Sequence, residues 1–386
     1  MSFDLSEDQR AFQRIAKDFS IKELAPNAGE WDAKGEFPVE TIKKAGDLGF
    51  CSLYVSEEDG GMGLGRLDSS IIIEQLSAGC TSTTAFITIH NMALWMVSKF
   101  GSIELKEKWC PALCSGQKLA SYCLTEPGSG SDAASLKTTA VKKGDNYILN
   151  GSKSFISGAG ETDCLVLMAR TGKEGPGGIS CFLLPADLKG IEYGKKEKKM
   201  GWRNQPTRVI SLSDVEIPAS YLIGEEGQGF MIAMQGLDGG RINIATCSIG
   251  TAQAALEAAQ KYMNEREQFG KKLSDFQALQ FKLADMTTEL VAARHFVRLA
   301  ASKIDSEHSE ATVYSAMAKR FATDVGFNVC NEALQIFGGY GYLQEFPLER
   351  YVRDVRVHQI LEGTNEIMRM IIGRRMLMED ATQIIQ

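Results

Sequence analysis

Tyr122-Cys123-Leu124-Thr125-Glu126-Pro127-Gly128-Ser129-Gly130-Ser131-Asp132-Ala133-Ala134-Ser135 is the stretch on which the fold turns. Gly128, Gly130 and Ala133 fit a G-x-G-x-x-A pattern, which in a dinucleotide-binding α/β domain opens a helix behind a strand. Here the continuation from Leu136 to Phe155 is strand-like, with hairpin signals at Gly144-Asp145-Asn146 and Asn150-Gly151. No helix follows the glycines, so the doubly wound reading fails. What is left is an irregular loop at the edge of a β domain. It offers backbone N–H groups and the hydroxyls of Thr125, Ser129 and Ser131 to a flat polar ligand; a Gly-Ser surface loop is the plainer alternative.

Around this loop the texture is β. Tyr147–Leu149, Cys164–Met168 and Ile179–Pro185 are short apolar runs separated by Gly, Asn and Asp, which predicts an antiparallel, barrel-like domain over 119–229. Residues 1–118 read as helical. Ser6 to Gln9 form a capping box, and Phe12, Ile15, Phe19 and Leu24 follow at helical spacing until Pro26. A second helix closes over Ala45 to Phe50, with Gly49 as its stop, and 67–100 and 104–113 are helix-prone. From 230 to 386 helical periodicity returns over 230–264, 276–304, 309–337 and 364–380, which predicts a four-helix bundle. The α–β–α order without βαβ alternation makes this an α+β chain.

Bulk properties narrow the function classes. A chain of 386 residues can bury several cores, and its 44% hydrophobic and 24% charged content is that of a globular protein. A net charge of −7 argues against nucleic acid as a partner, and no apolar run is long enough to span a membrane. The first residues show neither a secretory signal nor an Arg-rich transit peptide. Nine scattered cysteines make no zinc pattern and read as reduced thiols; with four histidines, no metal centre is expected.

Four further segments carry chemistry. Val357-His358-Gln359-Ile360-Leu361-Glu362-Gly363-Thr364-Asn365-Glu366 places one carboxylate in an apolar stretch on a glycine-containing turn before a helix. Desolvation raises such a pKa, which suits a general base near neutral pH. A helix N-terminal acid stabilised by the dipole is the alternative. Phe155-Ile156-Ser157 sets an aromatic two residues before a hydroxyl, or is simply a strand. Arg266, with Phe276 and Gln277 beyond it, lies between a long helix and a glycine, where a guanidinium can meet a diphosphate or pair with Glu265 or Glu267. Gln335-Ile336-Phe337-Gly338-Gly339 ends a helix with paired glycines.

Singly these signals are weak, but together they are not. The 122–135 and 335–354 stretches, with Glu362 following, resemble both signature patterns of the acyl-CoA dehydrogenase family, and the likeness runs over essentially the whole chain. Segments 194–202, 204–208, 239–245 and 352–362 resemble members acting on short branched acyl chains; a straight short-chain or 2-methylbutyryl preference is the alternative. A catalytically silent scaffold is disfavoured because Glu362 and the loop are intact.

The resemblance implies non-covalent FAD between the β domain and the bundle. It places Tyr122, Cys123, Leu124, Thr125, Glu126, Pro127, Gly128, Ser129, Gly130 and Ser131 at the flavin, with Phe155, Ile156 and Ser157 on its other side. Relatives more often have Trp and Thr in place of Phe155 and Ser157. Arg266, Phe276, Gln277 and Gln335, Ile336, Phe337, Gly338, Gly339 would hold the adenosine diphosphate, partly across a subunit interface, and Thr364, Asn365 and Glu366 would return to the cofactor. Ser131, Asp238, Gly239, Gly240, Arg241 and Arg374 would contact acyl-CoA. Glu362 would abstract the α-proton, since the alternative position for the base in some relatives is Gly240 here. Electrons would pass to an electron-transfer flavoprotein from a homotetramer, in the mitochondrial matrix of a eukaryote or the cytoplasm of a bacterium.

Overall fold

A computed structural model describes residues 4–385; the reading of the N-terminus that starts at Met1 lies partly outside them. Six helices come first: α1 (Glu7–Phe19), α2 (Ala28–Lys34), α3 (Val39–Asp47), α4 (Arg66–Gly79), α5 (Thr81–Phe100) and α6 (Ile103–Cys114). The Ser6–Gln9 capping box opens α1 as expected, both hydrogen bonds being present. The single helix expected over 67–100 is instead two. Cys80 is extended (φ −151°, ψ 102°) and stands between them. Gly79 lies so close to α1's continuation that a Cβ there would meet Leu24 Cβ at 2.9 Å.

Strands β1 (Ala120–Cys123), β2 (Thr139–Lys143), β3 (Asn146–Ser157), β4 (Cys164–Arg170), β5 (Ile179–Pro185), β6 (Ile191–Tyr193), β7 (Thr207–Pro218) and β8 (Leu222–Ile223) form one sheet. It is antiparallel except that β1 runs parallel to β4 and one β2–β4 pair, Thr139 with Arg170, is also parallel. β4 explains why the sheet is central. Its Cys164, Val166 and Met168 face a core shared with α5 and α6, while Leu165, Leu167 and Ala169 face a second core within the β domain. Strand alternation thus serves two cores, and no polar face is left.

Gly144-Asp145 is the β2–β3 hairpin, as the sequence predicts. Asn150-Gly151 is not a turn, which corrects that expectation. It lies inside β3, where the register with β7 slips between Leu149 and Gly151. Gly151 (φ +152°) passes Thr138 so closely that a Cβ would stand 2.7 Å from its Cα; the Asn-Gly pair makes a bulge here instead of a reversal.

The C-terminal part contains α7 (Gly229–Glu265), the small hairpin β9 (Glu267–Gln268) and β10 (Lys271–Lys272), α8 (Gln277–Asp305), α9 (Ala311–Phe337), α10 (Leu348–Arg356), α11 (Asn365–Met376) and α12 (Ala381–Ile384). The short helices α2 and α10 have no counterpart in the sequence reading, being too short for periodicity to register. One continuous core joins α7, α8, α9 and α10. The sequence boundaries at 118/119 and 229/230 fall between α6 and β1 and at the first residue of α7. Among the described residues no helix is long and apolar enough to cross a membrane.

Candidate active site

Glycine is a poor helix former, about 1 kcal/mol worse than alanine at each interior position. Yet α7 carries Gly236, Gly239 and Gly240 in its first half, and each is filled from outside. A Cβ at Gly236 would collide with Met96, at Gly239 with the Arg66 guanidinium, and at Gly240 with Glu362 Oε2 at 2.7 Å and Met92 Sδ at 3.1 Å. The glycines form a groove along α7, and Glu362 occupies one end of it.

The backbone aims that carboxylate. After the turn Val357–Gln359, Glu362 and Gly363 both adopt left-handed conformations (φ +57° and +87°). Thr364 then caps α11, its Oγ1 accepting from Ile367 N–H at 3.3 Å. A left-handed glutamate is disfavoured, so the surrounding structure must hold it. The residue is half-buried, but its Oε2 is fully enclosed and has no hydrogen-bond partner among protein groups. Burial pushes the carboxyl up to about 7, against the pull of Arg241 and Lys319.

Arg241 is buried and donates to Asp238 at 2.6 Å, and Thr312 donates to the other oxygen of Asp238 at 2.6 Å. Arg374 is exposed, whereas its neighbour Arg375 pairs with Glu310 at 2.6 Å. His358 is buried against Trp202, shares a 2.7 Å hydrogen bond with Ser248, and is pushed by burial down to about 3, so it is neutral.

The flavin-side residues of the sequence reading converge. Ser154 N–H donates to Thr125 O at 2.8 Å, Lys153 to Leu124 O at 3.1 Å, and Ser121 Oγ to Ser157 O at 2.7 Å. The 122–131 loop is therefore hydrogen-bonded along the 153–157 strand, with Phe155 outward and Ile156 buried in the β-domain core. Glu126 does not face outward. Its carboxylate accepts from Lys137 N–H (2.6 Å), Thr138 N–H (2.9 Å) and the buried Lys153 ammonium (2.8 Å), so it braces the loop from beneath. Cys123 and Leu124 are buried in the cores, while Gly128 and Gly130 have nothing within 4 Å of a Cβ position. Phe155 stands 71% exposed on a left-handed backbone (φ +58°). The Tyr122 hydroxyl is buried without a partner, and burial and then the Glu362 charge push its pKa far upward. An exposed, strained aromatic beside an open glycine loop suits a flat heterocycle, and FAD fits these residues.

The residues expected to hold the diphosphate lie elsewhere. Arg266, Ile336, Phe337, Gly338 and Gly339 line a cavity of about 390 Å³ with Tyr262 and Tyr340, and no residue of 122–157 lines it. Phe276 lies beside this set, under the Lys271 ammonium at 4.1 Å, and Gln277 opens α8 at the surface. Thr364 caps α11, Glu366 is exposed, and the Asn365 side chain is turned inward to Lys319, Thr323 and Asp324, away from any ligand on the surface.

Sequence reading missed three buried cations of the site, two near Glu362 and one beneath the 122–131 loop. Lys319 is wholly buried under the Glu362 turn. Arg66 stacks on Tyr54 at 3.4 Å and lines, with Trp95, Asp238 and Gly239, a cavity of about 290 Å³. Lys153 is the third. A lysine among small or apolar residues at helical or strand spacing was the available signal, as in Ala316-Met317-Ala318-Lys319.

Fold and site together define a three-part α–β–α chain, with a buried carboxylate over a glycine-lined helix and an open loop surface on the sheet. Models of the acyl-CoA dehydrogenase N-terminal, middle and C-terminal domains match residues 6–117, 121–215 and 227–377. The chain is 55% identical over 378 residues to mitochondrial isobutyryl-CoA dehydrogenase of Bos taurus, covering 98% of this chain and 91% of that one. It superposes on butyryl-CoA dehydrogenase from Megasphaera elsdenii with a TM-score of 0.94 at 42% identity, covering 98% and 100%. A solved chain described under the electron transferring flavoprotein of Acidaminococcus fermentans gives 0.95 at 43% identity, covering 98% and 100%. The protein belongs to the acyl-CoA dehydrogenase family.

Proposed function

We propose that this protein catalyses FAD-dependent α,β-dehydrogenation of a short branched acyl-CoA, converting isobutyryl-CoA to methacrylyl-CoA in valine breakdown, with Glu362 as the base. The observation that carries the reading is the Glu362 carboxylate, enclosed over Gly240 with a pKa near 7. Similarity to the isobutyryl-CoA dehydrogenase of Bos taurus supports the chain preference.

Ionised Glu362 takes the α-proton of the thioester onto a carboxylate oxygen. An α-C–H is too weak an acid for a carboxylate in water, so the thioester oxygen must accept hydrogen bonds as negative charge develops. The Glu362 backbone N–H is one donor by family resemblance. Holding the carboxyl near 7 instead of 4.5 costs about 3 kcal/mol, which contacts to the long CoA moiety offset. The buried Arg241 and the half-buried Asp238 paired with it form one wall for that moiety. FAD, when bound, supplies the acceptor for the β-hydride. The loop 122–131 and Phe155-Ile156-Ser157 orient it, and the Arg266 and Gly338-Gly339 cavity suits its diphosphate.

Electron-transfer flavoprotein as oxidant, a homotetramer, and a mitochondrial matrix or bacterial cytoplasmic setting complete the proposal. The test is anaerobic bleaching of the yellow protein by isobutyryl-, butyryl- and 2-methylbutyryl-CoA, then turnover with an electron-transfer flavoprotein acceptor. We expect isobutyryl-CoA to give the highest kcat/KM; no bleaching by any short acyl-CoA sinks the reading.

A further inference from the structure

Lys319 has no exposed surface. It sits on α9 among the small, buried Ser315, Ala318 and Ala322, where an ammonium is tolerated only if its donors are used. They reach across the bundle. Nζ donates to Gly363 O at 2.7 Å and to Asn365 Oδ1 at 3.0 Å. Both acceptors belong to the turn that carries Glu362. Asn365 is itself fixed to α9, its Nδ2 donating to Thr323 Oγ1 at 3.0 Å and Asp324 Oδ1 at 2.8 Å. The turn so tied is the strained one, with Glu362 and Gly363 both left-handed.

We propose that Lys319 is the positioning residue for the base: its ammonium ties the Glu362-Gly363 turn to α9, holds Glu362 left-handed, and keeps its carboxylate over Gly240. The inference rests on Glu362 being the base. Lys319 acts on the reaction through that turn and through its charge on the Glu362 carboxyl.

The charged groups around it are few: Glu362 on the turn, Glu366 on α11, Asp324 on α9 and Arg241 on α7, with His358 neutral beside them. Burial pushes Lys319 down to about 7, Glu362 pulls it up, and Arg241 pushes it down again. In return Lys319 lowers Glu362. The lysine therefore both anchors the turn and makes the ionised base easier to form.

The test compares flavin-loaded wild type with Lys319→Met, which keeps most of the length but loses donors and charge. We expect kcat at pH 7 to fall by ~10-fold or more, with KM within about 2-fold. The acidic limb of the kcat profile should move up by about one pH unit, because the cation that favoured the carboxylate is gone. The infrared band of protonated Glu362, assigned by its absence in Glu362→Gln, should persist to correspondingly higher pH without turnover. Lys319→Gln, which keeps a neutral donor, should recover part of kcat but not the position of the limb. An unmoved limb and band overturn the proposal even if kcat drops, since mere loosening would do that. Failure of both variants to fold overturns it as well, the lysine then being a fold element. Glu362→Gln separates the two claims. If it retains turnover, the base assignment fails; if it is inactive while the Lys319 variants behave as wild type, only the lysine proposal fails.

Discussion

Glu362 joins a left-handed backbone to an enclosed carboxyl, and both features cost stability. The sign of the second is fixed by its pKa. The folded value is raised to about 7 from 4.5, so the native state binds the proton more tightly than the unfolded chain. Stability is fully present below the unfolded pKa and is lost as pH rises through 7, by about 3 kcal/mol in all. Glu362→Gln, a fixed mimic of the protonated form, should melt with wild type at pH 5 and a few degrees above it at pH 8, as read by calorimetry. The same variant should lose ~10³-fold or more in kcat. In wild type the rate should climb with pH through about 7 as the free base forms. Gly240 faces this group directly. Gly240→Ala brings a methyl to within 2.7 Å of Oε2 and must displace the carboxylate. We expect ~10- to 100-fold loss of kcat with intact folding, seen in steady-state kinetics beside circular dichroism.

Elements place these residues, and the β3 strand is the instructive case. Its bulge at Gly151 and its second irregularity between Lys153 and Ile156 turn Lys153 inward and Phe155 outward within two residues. Inward, Lys153 meets Glu126 at 2.8 Å. Burial pushes that carboxyl up, but Lys153, Thr138 and Lys137 outweigh it and hold Glu126 below its usual value. Removing one partner of a buried pair leaves an uncompensated charge, at about 3–5 kcal/mol. Lys153→Met should lose stability on that scale in denaturant titration. It should also purify with a lower ratio of flavin to protein absorbance, because the loop 122–131 loses its brace.

For the whole molecule, the residues proposed for one cofactor lie on two surfaces. The loop and Phe155 belong to the sheet, while the Arg266 cavity is built only from C-terminal elements. Phe269 beside that cavity is 94% exposed, and Phe281 on α8 is 60% exposed. Apolar groups so placed are those a second copy would cover. A cofactor gripped by the loop of one copy and the arginine of another would couple flavin retention to assembly. Arg266→Ala should therefore lower flavin content, and, with the proposed assembly, dilution should release flavin and separate the copies together, as followed by light scattering with detection at the flavin band.

Much of this was legible in the chain itself. Element type and order follow from local periodicity, caps and turns, so the α–β–α layout and the rejection of a dinucleotide fold needed only neighbours in sequence. The turn Glu362-Gly363-Thr364 was equally local, and its apolar flanks already argued for a raised pKa. Where local signals are ambiguous, sequence reading went astray: Asn-Gly serves a bulge as readily as a hairpin, and Cys80 breaks a helix that periodicity would continue. What only the tertiary structure decided is what surrounds each charge. Lys319 and Gly363, 44 residues apart, meet because α9 and the Glu362 turn pack together, and Gly240 opens its face to a carboxylate from the far end of the chain. Burial, hydrogen-bond satisfaction and pKa belong to such assembled neighbours. No stretch of sequence contains them until folding brings them within reach.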